Sequence, residues 1–256
     1  MDMVLSSCTD GVCTITLNRP EKRNAMSADL MEGLAGAVAE ASSSQEARVI
    51  LLRGAGAAFC SGLDLDELAA PLSTGTLDDA LVGRVLAPLE ACPKPTIAVV
   101  HGDALAGGCQ LALHCDLRFA DPGARFGMPV ARLGLAAPYP LTLKLVETIG
   151  PAATKELLFT GAPIDAERAL QLGLVNRVVP APALDEAVRT LALTIAGNAP
   201  IAIHAMKEFV RRASRALTSI PHDDLASLVE RVRGSADLQE GLRARREKRR
   251  PTFHGR

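Results

Sequence analysis

The chain has 256 residues, and 28 Lys plus Arg against 29 Asp plus Glu leave a formal charge of −1. That balance argues against a dedicated nucleic-acid or membrane-surface protein. A content of 48% hydrophobic and 22% charged residues is globular rather than disordered, and with no Trp and a single tyrosine, Tyr139, aromatic stacking platforms are not expected.

Thr14 to Leu17 read as a short strand closed by Asn18-Arg19-Pro20. Ser27 suits the cap of a helix from Ala28 to about Ala41, with Asp29 and Glu32 near its positive end. Val49 to Leu52 is a branched apolar run typical of a buried strand. Residues 54–76 read as a Gly- and Ala-rich loop holding Asp64, Asp66 and Glu67, and a helix is expected over 77–90. Thr96 to Val100 is the next strand, Ala106 to His114 a helix, and Asp116 to Phe119 an extended segment. A helix over 151–160 places Pro151 in its first turn, where a missing N–H does no harm. Asp165 suits the cap of a helix that stops at Gly173, and from about 184 the pattern is helical almost to the end. Strands alternating with helices, followed by helices alone, indicate an α/β core with a helical C-terminal portion.

Six cysteines, at positions 8, 13, 60, 92, 109 and 115, form no Cys-x-x-Cys pair, and the N-terminus lacks the basic start and apolar stretch of a signal peptide. Reduced thiols are therefore expected, with neither a disulfide framework nor a metal site. No apolar run approaches the roughly 20 residues of a membrane span. A cytoplasmic protein without a membrane partner is the expectation.

Two glycine loops invite a nucleotide reading. Gly54-Ala55-Gly56 follows a strand but lacks the third glycine of a dinucleotide fingerprint, and Gly108 stands where a phosphate loop needs lysine. Glycines 107 and 108 at a helix start would instead offer unpaired amides to developing negative charge, and Gly62-Leu63 a second amide. Close packing explains the same glycines equally simply.

Several stretches together resemble the crotonase, or enoyl-CoA hydratase/isomerase, family. They are Asn18-Arg19-Pro20 through Met26, Phe59-Cys60-Ser61-Gly62-Leu63-Asp64-Leu65, Lys94-Pro95-Thr96, His101-Gly102 through Leu111, Cys115-Asp116-Leu117-Arg118, Gly161-Ala162-Pro163, Gly173-Leu174-Val175-Asn176, and the terminal Gln239-Glu240-Gly241 and Glu247-Lys248-Arg249. The resemblance implies a ββα spiral core over residues 1–200 that binds acyl-CoA, and a helical region over 201–256 that assembles homotrimers or hexamers built as dimers of trimers. It implies a coenzyme A thioester as substrate or ligand, no tightly bound cofactor, and no nucleic-acid partner. Carried over by position, the backbone N–H groups of Leu63 and Gly107 form an oxyanion hole for the thioester. Arg23, Ala25, Ser61 and Leu63 line the coenzyme, and Lys248 extends toward phosphate. The seven Lys/Arg against two Glu in 240–256 fit a solvated basic face as well.

The chain departs from this pattern where hydratases carry two glutamates: Gln110 and Val130 occupy those positions, and an acidic site used by some isomerases falls near Ala137 or Pro138. Hydration needs a base to activate water and an acid to protonate carbon, each contributing roughly 10²–10⁴-fold. An amide and a valine supply neither, so ordinary hydration is not expected. Tyr139 is a candidate because decarboxylases of the family resemble this region in carrying a tyrosine about two residues earlier, although a packing residue with a solvated hydroxyl is the simpler reading. Asp64 reads as a loop cap, His101 and His114 as structural, Cys60 and Cys109 as small buried filler, and Arg132 as either an acyl-anion contact or a surface pair. Three readings stay open: a hydratase-like lyase or isomerase acting on acyl-CoA, a non-catalytic acyl-CoA binding protein, and an acyl-CoA decarboxylase or isomerase.

Overall fold

In a computed structural model of the chain, the described residues are 2–68, 79–215 and 230–254. Part of the loop expected over 54–76 and part of the helical expectation beyond 215 lie outside them.

The chain opens with an antiparallel hairpin of β1 (Val4–Thr9) and β2 (Val12–Leu17). Its turn is Asp10-Gly11, with φ of 54° and 78°, the positive values that a two-residue hairpin turn requires. Apolar patterning does not reveal β1, because everything after Val4 in it is exposed. The register sets Cys8 opposite Cys13. They are joined in a disulfide with Cα atoms 4.0 Å apart, which corrects the expectation of six reduced thiols. Spacing along a chain does not report partnership until the hairpin register is known. Cys60, Cys92, Cys109 and Cys115 are free and buried.

Helix α1 (Ala28–Ser43) is capped by Ser27, whose side chain accepts from the Leu30 amide. Leu30, Met31, Leu34, Val38 and Ala41 recur at helical spacing and are all buried. β3 (Val49–Gly54) and β4 (Thr96–Val100) continue the sheet in parallel, separated by the short α2 (Leu65–Leu68) and by α3 (Asp79–Ala91). β5 (Asp103–Leu105), α4 (Gly107–Leu113), β6 (Leu117–Ala120) and β7 (Arg125–Gly127) follow in quick succession. The helical run α5 (Tyr139–Thr160) breaks at Gly150 (φ 74°, ψ 165°), so Pro151 opens its second half as expected. β8 (Ile164–Asp165), α6 (Ala166–Gln171), β9 (Arg177–Val178), α7 (Ala181–Ala196), α8 (Pro200–Arg215) and α9 (Ala236–Arg246) complete the order. Asp165 caps α6 through the Arg168 amide at 2.8 Å.

The main sheet runs β1-β2-β3-β4-β6-β9 and a small one β5-β7-β8. Because a strand sends successive side chains to opposite faces, Ile50, Leu52, Ala98 and Val100 enter the large core with α1 and α3, while Val49, Leu51, Ile97 and Val99 pack under α7. Burial on both faces explains why β3 and β4 are continuous apolar runs.

Candidate active site

The site is assembled around the loop after β3. A short 3-10 turn, Pro20–Lys22, ends with Arg23 and Asn24 in the left-handed region (φ 52° and 54°). Asn24 is fully buried; its amide nitrogen donates to the carbonyls of Ala55 (2.9 Å) and Ala58 (2.8 Å), and its oxygen accepts from the Arg19 amide (2.9 Å). This knot lays residues 23–26 beside 61–64. The Ser61 amide donates to Arg23 O at 3.0 Å, the Met26 amide to Gly62 O at 2.8 Å, and the Asp64 amide to Met26 O at 3.1 Å. On the other side, the Cys60 amide donates to Asp103 O and the Leu105 amide to Cys60 O, both at 3.0 Å.

In such a parallel bridge, Gly62 and Asp64 direct their groups at Met26, so the Leu63 N–H faces away from it. The start of α4 lies beside Leu63. A Cβ placed on Gly62 would lie 3.2 Å from the Gly107 nitrogen, and one placed on Gly107 would lie 3.5 Å from the Leu63 nitrogen. Gly107 is the first residue of α4, where an amide has no intrahelical acceptor. Among the described residues, neither amide donates to a protein acceptor. The two amides thus lie beside each other, each without a protein acceptor among the described residues.

The glycines here are demanded by contact. Gly62 has φ 96°, and an added Cβ would meet Leu105 O and the Ala106 Cβ at 2.9 Å; at Gly108 it would meet Cys60 O at 2.1 Å. Ala106, immediately before Gly107, holds the unfavourable conformation φ 48°, ψ −116°, pinned by its amide to Gly127 O at 2.8 Å. A non-glycine residue in such a conformation costs on the order of 1–3 kcal/mol and persists only where its surroundings enforce it.

Gln110 lies one turn beyond Gly107 on the same helical face, half-buried, and its side chain hydrogen-bonds to no other described residue. Val130 is half-buried in the 3-10 turn Pro129–Leu133, and Tyr139 is half-buried at the start of α5. α5 packs on both α4 and this turn, and α9 closes over it with Gly241 against the Leu133 carbonyl. Three packed elements thus carry Gln110, Val130 and Tyr139. Arg23 is exposed, Ala25 buried and Ser61 half-buried along the bridged segments. Lys248 is exposed just past α9, at φ 52°. That turn is anchored by Glu240, which accepts from Arg249 (2.6 and 3.0 Å) and from the Thr252 amide (3.0 Å).

The remaining candidates resolve as follows. Burial pushes the Cys60 and Cys109 thiols up to about 12, so neither is a thiolate nucleophile. His114 sits at the far end of α4, its Nδ1 2.8 Å from Gln110 O and its Nε2 3.9 Å from Glu90, and burial lowers its pKa. His101 Nε2 meets Gly56 O at 2.9 Å, and Arg132 Nε donates to Thr160 O at 3.2 Å. Asp64 is more than a loop cap. Its Oδ1 accepts from the Asp66 amide (2.9 Å), while its Oδ2 receives a 2.5 Å ion pair from Arg19, which the motif Asn18-Arg19-Pro20 contains but to which sequence reading gives no role.

The description Enoyl-CoA hydratase/isomerase matches residues 7–256 of the chain. A short-chain-enoyl-CoA hydratase from Clostridium acetobutylicum is 36% identical over 204 residues, 78% of each chain. A 2,3-dehydroadipyl-CoA hydratase from Escherichia coli is 33% identical over the whole of both chains. Among solved structures, a methylmalonyl CoA decarboxylase complexed with 2S-carboxypropyl CoA superposes with a TM-score of 0.92 at 30% identity, covering 100% of this chain and 99% of that one.

Proposed function

The chain belongs to the enoyl-CoA hydratase/isomerase, or crotonase, family, and from that premise we propose that it binds an acyl-CoA thioester and stabilises its enolate between the Leu63 and Gly107 amides. The observation that carries this reading is the proximity of those two amides, neither of which meets an acceptor among the described residues. Arg23, Ala25 and Ser61 line the coenzyme, Lys248 meets its phosphate, and the thioester is substrate rather than a resident cofactor. Removing one such donor raises a barrier by about 2.7–4 kcal/mol in other enzymes.

The reaction follows from what the wall lacks. Gln110 and Val130 move no proton, so chemistry that needs only enolate stabilisation fits better than hydration. Decarboxylation of a malonyl-type thioester is of that kind: the carbon–carbon bond breaks, its electrons enter the enolate, and solvent supplies the α-proton. The similarity to a methylmalonyl CoA decarboxylase supports this choice, and in this reading Tyr139 orients the departing carboxylate. A pure acyl-CoA binding protein is the alternative if no thioester turns over. Steady-state assays with crotonyl-CoA and with a malonyl-type thioester test the reading. Slow hydration beside faster loss of carbon dioxide is expected, and fast hydration would overturn it.

Residues 201–256 are assigned to oligomerisation. On α8, Met206, Phe209 and Val210 recur at helical spacing and are 52%, 68% and 67% exposed, an apolar face that supports assembly into trimers. Sedimentation at micromolar concentration is expected to give three or six copies.

A further inference from the structure

Arg19 and Asp64 form a buried ion pair whose side chains are 15% and 6% exposed. One guanidinium nitrogen, Nη1, reaches Asp64 Oδ2 at 2.5 Å and Ala25 O at 3.2 Å. The other carboxylate oxygen accepts the Asp66 amide at 2.9 Å. Arg19 therefore ties residue 64, directly after Leu63, to residue 25, directly before Met26, the bridge partner of Leu63. Its own amide is in turn held by the buried Asn24.

A charged pair this secluded is costly to desolvate, and hydrophobic residues would hold two loops together as well. What the pair adds is direction, because one guanidinium nitrogen meets both Asp64 Oδ2 and Ala25 O, and directed hydrogen bonds to two fixed acceptors constrain relative orientation as apolar contacts do not. Burial alone would raise the Asp64 carboxyl, but the hydrogen bonds from Arg19 and the Asp66 amide outweigh it and hold it below the ordinary value. The carboxylate is thus kept charged at neutral pH.

We infer that Arg19 and Asp64 are positioning residues that aim the Leu63 amide at the thioester oxygen. This rests on the reading of Leu63 and Gly107 as the oxygen's donors. Neither side chain touches the reacting atoms. Their effect passes through the orientation of one backbone N–H, and misplacement of about 1 Å costs up to 100-fold in such sites. The pair therefore governs preference for the enolate over the ground-state thioester, and leaves affinity for the coenzyme itself unchanged.

The test compares dissociation constants for a nitronate acyl-CoA, a planar anionic mimic of the enolate, and for the corresponding saturated acyl-CoA. Wild type is expected to prefer the nitronate. Asp64→Asn, which retains shape and the acceptor for Asp66, is expected to lose about tenfold to 100-fold of that preference, with the saturated thioester bound within about twofold of wild type. Arg19→Lys, which keeps the charge on a shorter and non-planar head, is expected to fall between them. Undiminished preference in both folded variants would overturn the positioning role while leaving the amide reading intact. No preference in wild type would instead overturn the amide reading. Loss of the fold in both variants would make the pair a folding element only, and would also overturn the proposal.

Discussion

The two sides of the site are built from different materials. The side formed by residues 23–26, 60–64 and 104–108 is backbone bridged to backbone, between Met26 and Leu63 and between Cys60 and Ala104, and tied by the Asn24 side-chain amide and the Arg19–Asp64 pair. The neighbouring elements that carry Val130 and Tyr139 present half-buried side chains from the turn Pro129–Leu133 and the start of α5. A backbone donor survives almost any side-chain change, provided the packing that aims it remains. A carboxylate disappears with one substitution. On the proposed reading, the Leu63 and Gly107 amides depend only on that packing, whereas Gln110 and Val130 offer no carboxylate.

Four experiments would break or sharpen that contrast. The largest effect is expected on the backbone side. Gly108→Ala drives a Cβ to 2.1 Å from Cys60 O. Neither partner is a flexible side-chain end, so overpacking is expected to lower stability by about 3 kcal/mol and to abolish acyl-CoA binding, read by thermal melts and titration calorimetry.

Next, restoring carboxylates to the wall tests whether the scaffold still holds substrate productively. Gln110→Glu with Val130→Glu is expected to raise crotonyl-CoA hydration by about 10²-fold or more, followed at the enoyl thioester absorbance. No gain would mean that the wall has also lost its geometry.

A pH series on Asp64→Asn addresses the brace between the bridged segments. The folded carboxyl lies below its ordinary value, so its contribution to stability is complete above the unfolded value of about 4 and is lost as pH falls through the folded value. Wild type and variant melting temperatures are expected to differ most at neutral pH and to converge in acid. A constant gap would remove charge from the account.

The smallest effect belongs to Tyr139→Phe, which deletes only a hydroxyl. A fall of about tenfold or less in turnover of a malonyl-type thioester is expected, the scale of one hydrogen bond. Unchanged turnover would remove the tyrosine from the mechanism and leave the reaction class standing.

Much of this was legible in the residues. The apolar runs of β3 and β4, the Ser27 and Asp165 caps and the helical spacing of α1 are local properties, expressed over a few bonds. The Asp10-Gly11 hairpin was equally local: a two-residue turn puts Thr9 opposite Val12 and thereby Cys8 opposite Cys13. It stays hidden behind apolar periodicity because β1 is exposed, so the disulfide goes unforeseen with it.

The sequence by itself determined the family, the alternating order of elements, the positions of the candidate amides and the absence of carboxylates at 110 and 130. Each of these is a matter of residue type and order. Only the tertiary structure decided that Leu63 N–H faces away from Met26, that Gly107 lies beside Leu63, and that Arg19 pairs with Asp64 across 45 residues of chain. Hydrogen-bond direction and the partner of a buried charge depend on which segments the fold brings within about 3 Å, and residue order along the chain does not contain that distance.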